Sequence, residues 1–409
     1  MIKEKLPPLD EGILLELAER LPTPFYLYDA AGIRAAARAV QAALGTRQFF
    51  PVKATPTAAI LRLLQEEGCG MVCSSAAELE LCARCGFSGE ALLFLPNYPL
   101  PGDLNVAARL GAGILLDGPD GAAFAAAGCR MDVVGLRYNP GGSFTAGEKT
   151  VSGLDEVKFG MDEAMLLREA EALKALGTRA VGLHGYLCGN TLNPDYFPAL
   201  ARLLMALAVK VRRQTGMAIA YIDLSGGLGI PYRPEDAPVD LTAIGRQVRQ
   251  AAEDVLAPAG LGETPLYTEL GRLITGPSGM LVSRVVTRKQ AARNYLGLDA
   301  SAADLMRPLL YGAYHHLTVL GKAPDAPRQL WDVVGGIAEN TDKFAVQRPL
   351  PDPRPGDVCV IHDAGAHGHS MGYNYGGKLR CAEYLYENGE AVLIRRAETP
   401  EDYWNTQVF

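Results

Sequence analysis

The sequence has no surplus of basic residues: 39 Lys and Arg stand against 46 Asp and Glu, for a formal charge of −7. A surface of that balance offers nothing general to nucleic-acid phosphates. No unbroken apolar run is long enough to cross a bilayer. Met1-Ile2-Lys3-Glu4-Lys5-Leu6-Pro7-Pro8 is followed by no apolar h-region, so no secretory signal is expected and the cytoplasm is the expected compartment. Nor is there a metal set. Cys82 and Cys85 form a CxxC, but Glu78-Leu79-Glu80-Leu81 before it reads as helix, and no second CxxC or nearby His completes the ligands. The other cysteines, Cys69, Cys73, Cys129, Cys188, Cys359 and Cys381, are scattered in apolar surroundings and read as reduced, buried thiols. No internal repeat appears beyond a strand–helix alternation, and no low-complexity tract.

That alternation organises the chain. A length of 409 residues is too great for one ordinary core, so two domains are expected. A short helix, Gly12 to Arg20, precedes the apolar strand Pro24 to Tyr28. From Gln48 onward, eight short apolar strands alternate with helices: Gln48–Ala54, Gly70–Ser74, Ala91–Leu95, Gly113–Asp117, Val133–Tyr138, Ala180–Tyr186, Ala218–Leu224 and Pro265–Leu270. Near-continuous apolar strands between helices mark a parallel sheet buried on both faces. Eight such units in one stretch predict a closed (β/α)8 TIM-type barrel over residues 30–278. The alternative, an open doubly wound sheet, lacks its glycine fingerprint after the first strand. Beyond 278 the rhythm changes. Leu281–Val286, Gln329–Val334, Val358–Ile361 and Ala391–Ile394 read as strands, mostly with no helix between them, and Pro349 to Pro355 as a loop. Residues 279–409, with 1–29, are expected to form an all-β domain, a barrel or sandwich.

In such a barrel the reactive groups lie at the carboxyl ends of the strands, and phosphate is often held after strands seven and eight. Strand one carries Lys53 among apolar and small residues. A lysine there either snorkels to water or loses hydration, and a dehydrated amine can attack an aldehyde. After strand seven come Gly226, Gly227 and Gly229, where backbone N–H groups could close on an anion or simply make a tight turn. After strand eight come Glu269, Gly271 and Arg272. The acid and the arginine could pair at the surface, or bind opposite ends of one ligand, a cationic ring nitrogen and a phosphate. Together these residues describe pyridoxal 5′-phosphate.

The same motifs carry a resemblance. Pro24 to Tyr28, Val52-Lys53-Ala54, the Gly226 loop, Glu269 to Arg272, Met306-Arg307-Pro308-Leu309-Leu310-Tyr311 and Gly356-Asp357 to His367 occur in order over the whole chain. The chain resembles the pyridoxal-phosphate decarboxylases of the alanine-racemase/ornithine-decarboxylase fold type, and within them diaminopimelate decarboxylase. The resemblance implies a homodimer whose active sites are shared between subunits. It implies that Arg272, Arg307, Tyr311 and Glu339 hold the substrate, and that Lys53, Glu339 and His367 act in catalysis. Two cations, Arg272 and Arg307, suit a substrate with a distal carboxylate.

Departures from the family pattern are as informative. Where the family carries a Cys-Glu pair, this chain reads Ala338-Glu339-Asn340-Thr341-Asp342. The thiol that usually protonates the carbon left by carbon dioxide is gone, so Lys53, His367 or water must return the proton. His367 stands where a tyrosine is usual, Tyr186 where a histidine stacks on the pyridine ring, and Gly189 where a hydroxyl residue often touches phosphate. His184, His315 and His316 read as packing or hydrogen-bonding residues. The expected reaction is decarboxylation of meso-diaminopimelate to lysine. The rivals are another amino-acid decarboxylation or a racemisation, a non-catalytic cofactor-binding relative, and a cofactor-free barrel that only binds.

Overall fold

The structure, a computed structural model, describes residues 5–323 and 325–409. The first four residues of the N-terminal stretch lie outside them. The chain forms two compact units, one of Arg34–Ile230 with Pro238–Leu273, the other of Met1–Ile33, Pro231–Ala237 and Ile274–Phe409. The segment 231–237, which follows the glycine loop, thus belongs to the second unit although it interrupts the first in sequence.

The first unit is a closed parallel barrel of eight strands: Arg47–Pro51, Gly70–Cys73, Leu92–Phe94, Gly113–Leu116, Val133–Tyr138, Ala180–Gly185, Ala218–Asp223 and Leu266–Thr268. Three of the helices between strands start on the same device. Ser75, Asp162 and Asp240 each accept the N–H three residues on, from Glu78, Met165 and Ala243, a cap worth about 1 kcal/mol each. The interior alternates small and large side chains. A Cβ on Gly182 would fall 2.1 Å from the Tyr221 ring, and that ring stacks on Tyr267 with centroids 4.6 Å apart. A small hairpin, Ser143–Ala146 with Lys149–Ser152, fills the excursion after strand five.

The register of the barrel brings three ionisable residues abreast in otherwise apolar strands. Arg137 of strand five pairs with His184 of strand six, and His184 with Asp223 of strand seven. Strand eight closes on strand one through Tyr267–Arg47 and Thr268–Gln48. The residues that follow these two strands, Glu269 and Lys53, are therefore neighbours at the carboxyl end.

The second unit is built on one nine-stranded sheet. Its main path runs Lys343–Pro351, Arg328–Val334, Asn294–Leu298, Gly279–Gln290, Phe25–Asp29, Ala382–Glu387 and Glu390–Arg395. Val358–Ile361 branches off Gly279–Gln290 and also pairs with Leu317–Val319. Pro349 and Pro351, read above as loop, end a strand instead. It is the sheet's edge, where a proline's missing N–H breaks no ladder.

One carboxyl of this unit gives a stability prediction. Asp304 is buried and accepts from the N–H groups of Ser301 and Cys381 at 2.9 and 3.1 Å. Burial, partly offset by those bonds, pushes it up to about 6. An acid raised by folding adds stability in full below its unfolded value of about 3.9, and that stability is lost as pH climbs through the folded value. Urea unfolding at pH 4 and pH 6.5 should show the wild type losing up to about 3 kcal/mol from this group. In Asp304→Asn that component should be absent.

Candidate active site

Barrel strand one ends at Pro51, and Val52–Ala54 is a single 3-10 turn. Lys53 is therefore not a strand residue, and it is exposed rather than buried in apolar surroundings. The expectation of a dehydrated amine is corrected on this point. The ring of proline cannot extend the ladder, and the chain turns at once. Lys53 still belongs to the carboxyl end of the barrel, where its charge acts on Glu269 and Glu78.

Glu269 is buried and held on three sides. Its N–H donates to the Ser225 carbonyl at 2.6 Å. Its Oε2 accepts from the Ser225 hydroxyl at 2.8 Å. His184 Nε2 lies 3.6 Å from the same oxygen. Burial alone would push Glu269 up, but His184, Ser225 and Lys53 outweigh it and hold the carboxyl below its ordinary value. Its neighbour Asp223 goes the other way: burial, reinforced by the Glu269 charge, holds it well above the ordinary value. Of two adjacent buried carboxyls, Glu269 carries the charge and Asp223 the proton, the separation by environment that fits two groups for different roles. Burial also pulls His184 down in spite of Glu269. The 3.6 Å between His184 Nε2 and Glu269 Oε2 is too long for a hydrogen bond. Among the described residues neither Glu269 Oε1 nor Asp223 Oδ2 has a hydrogen-bond partner.

The glycine loop owes its composition first to close backbone approach. A Cβ on Gly226 would meet the Glu269 carbonyl at 2.7 Å, and one on Gly229 would meet Asn190 at 2.7 Å. Gly227, at φ +112°, would place its Cβ 2.4 Å from the Cys188 carbonyl. The N–H of Gly229 donates to the Thr191 carbonyl at 2.8 Å and that of Gly271 to the Glu269 carbonyl at 3.1 Å. This narrows the anion-binding reading to Gly226 and Gly227, with Arg272 beyond them on the turn Gly271–Thr275. Tyr186 follows strand six. Burial pushes its phenol up against the charges of Arg272 and Arg137, and a Cβ on Gly226 would lie 4.0 Å from its ring. The Arg137 guanidinium is 3.0 Å from Asp117 and 5.9 Å from the Tyr186 centroid.

Arg307, Tyr311, Glu339 and His367 lie in the mostly-β unit. Arg307 is buried at the start of the short helix Arg307–Tyr311, with its guanidinium 4.8 Å over the Tyr232 ring and Nη1 2.7 Å from His315 Nε2. His315 Nδ1 sits 2.8 Å from the His362 carbonyl. That contact fixes the tautomer in which Nε2 accepts from Arg307. Tyr311, by contrast, is 65% exposed. Glu339 is exposed too, in a loop where Thr341 Oγ1 donates to its Oε1 at 3.1 Å. His367 is half-buried with φ +55°.

The barrel thus offers an amine, two open N–H groups, an arginine, an aromatic ring and an ionised carboxylate with one buried oxygen unfilled. A buried carboxylate oxygen without a donor is costly, and a protonated ring nitrogen is the donor it lacks. These residues fit pyridoxal phosphate. Ser225, Asp223 and the placing of His184 against Glu269 were missed from the sequence. The available signal was a single ionisable residue near the end of each of three consecutive apolar strands.

Residues 30–276 match the model of the family described as pyridoxal-dependent decarboxylase, pyridoxal binding domain. The chain is 42% identical over 396 residues to Protein TabA of Pseudomonas amygdali pv. tabaci, covering 96% of this chain and 92% of that one. It is 33% identical over 409 residues to the diaminopimelate decarboxylase of Methanothermobacter thermautotrophicus, covering 96% and 95%. A crystal structure of diaminopimelate decarboxylase from M. jannaschii in co-complex with L-lysine superposes with a TM-score of 0.87 at 25% identity, over 97% of this chain and 94% of that one.

Proposed function

Because the chain belongs to the pyridoxal-dependent decarboxylases, we propose that it removes the carboxylate of a diamino acid, meso-diaminopimelate, to give lysine and carbon dioxide. It is a carboxy-lyase that uses pyridoxal phosphate. The observation that carries the chemistry is Glu269, buried, ionised and with one oxygen unfilled. Bound pyridoxal phosphate supplies an aldehyde for an amine and a ring that accepts the electron pair left as carbon dioxide departs.

The protein's residues do the rest. Lys53 offers the amine to the aldehyde and is free to move because it is exposed. Gly226, Gly227 and Arg272 take the phosphate, Tyr186 packs on the ring, and Glu269 holds the proton on the ring nitrogen. Arg307, ordered by His315 and Tyr232, takes the distal carboxylate. Lys53 or His367 returns the proton to carbon. Tyr311 and Glu339, exposed in the single chain, are residues that the partner subunit of a cytoplasmic homodimer would cover.

The first test is incubation with meso-diaminopimelate. Lysine and carbon dioxide are expected, and their absence from cofactor-loaded protein would remove the substrate. A second reading, another amino acid or a racemisation at the same site, is favoured by Ala338, which leaves the usual thiol out. Ala338→Cys separates them. Under the first reading it restores a general acid, and turnover on diaminopimelate rises on the order of 10²-fold. Turnover unchanged by the new thiol would favour the second.

A further inference from the structure

Ser225 stands in a loop of glycines and adopts a backbone conformation that suits glycine better. Its φ is +53°, in the left-handed region that L-residues with a Cβ avoid. It is buried, and all three of its polar groups are used within the site. The N–H donates to Asp223 Oδ1 at 2.7 Å, the carbonyl accepts from the Glu269 N–H at 2.6 Å, and the hydroxyl donates to Glu269 Oε2 at 2.8 Å. The two backbone bonds would survive a change to glycine, and the strain would go. What glycine could not supply is the hydroxyl. Strain retained at a site is grounds for seeking a functional reason for it.

That hydroxyl is the one hydrogen-bond donor on the Glu269 side chain among the described residues. His184 Nε2 is 3.6 Å away, and Asp223 Oδ2 makes no hydrogen bond. A donor on a carboxylate stabilises its charged form and makes it a weaker base. We propose that Ser225 is a positioning residue that keeps Glu269 a weak base, so that the proton shared between Glu269 and the cofactor's ring nitrogen stays on the ring. No bond to carbon is involved: the hydroxyl keeps its proton throughout, and only the place of the shared proton depends on it. The proposal rests on the bound cofactor and not on the substrate, so it stands or falls separately from the assignment of diaminopimelate.

The test uses holoenzyme loaded with pyridoxal phosphate labelled with 15N in the ring, in the wild type, Ser225→Gly and Ser225→Ala. At neutral pH the wild-type ring nitrogen should resonate as protonated pyridine. In both variants it should move toward the neutral-pyridine position, reflecting a rise of about tenfold in the proton affinity of Glu269, or about 1.4 kcal/mol. Glycine relieves the backbone and alanine does not, so Ser225→Gly should melt a degree or more above Ser225→Ala while their 15N signals agree. An unchanged 15N signal in both variants would reduce Ser225 to a loop residue and overturn the proposal. A displacement in only one of them would tie the effect to the backbone and overturn it equally.

Discussion

Lys53→Ala is expected to fold as the wild type does, to lose its yellow colour on dialysis and to lose turnover by about 10³-fold or more. The stability side follows from position. Lys53 sits in a one-turn connection, is exposed, and makes no hydrogen bond within the described structure. Surface changes of that kind move stability by about 0.5 kcal/mol at most. The chemical side follows from the lack of a substitute. Among the side chains set against Glu269, the other nitrogen is that of His184, which is buried and cannot reach out from strand six. Alanine at 53 removes both the amine that holds the cofactor covalently and a proton carrier. Borohydride should fix the cofactor irreversibly to wild-type protein and leave Lys53→Ala unlabelled. Covalent labelling of the variant would place the amine elsewhere and defeat the assignment.

This prediction also shows what was legible in the sequence. The barrel was, because its strands are buried on both faces and read as apolar runs at a regular spacing. Lys53 was found for a reason only partly right. Its local surroundings suggested dehydration, and the structure exposes it. What identified it was its order along the chain relative to the glycine loop and Glu269, and order survives an error of three residues in a strand end. The sheet of the second unit was less legible. Asn294–Leu298, Leu317–Val319, Lys343–Pro351 and Ala382–Glu387 went unread as strands. None alternates buried and exposed positions residue by residue, one is three residues long, and one ends in prolines at a sheet edge. Local pattern is weak in each case, and pairing with distant strands decides. Phe25–Asp29 lies between Gly279–Gln290 and Ala382–Glu387, a separation of more than 200 residues that no local window spans.

The array around Glu269 was hidden for a different reason. His184 and Asp223 are single polar residues in apolar strands, and each alone looks like a packing residue. Only the register Arg137–His184–Asp223 puts them in one layer, beneath a carboxylate contributed by strand eight. A closed barrel makes residues neighbours that are far apart in sequence, so a constellation of this kind needs the strand pairing before it can be seen.

Glu269→Gln should reduce turnover by about 10²–10³-fold with only a small change in the melting temperature. Glutamine keeps the side-chain shape and can still accept from Ser225 through its carbonyl. It lacks the charge that holds a proton on the ring nitrogen, so the ring becomes a poorer electron acceptor. Stability should change little. The fold holds the Glu269 carboxyl below its ordinary value, so its ionised form adds stability at neutral pH that a neutral amide forfeits. Against that, removing the charge relieves Asp223, which burial and the Glu269 charge together hold well above its ordinary value. A variant that folds, binds cofactor and turns over slowly would mean that the carboxylate is kept for its chemistry. A variant with a lowered melting temperature and intact turnover would assign Glu269 to packing, and the electron-sink argument built on it would fail.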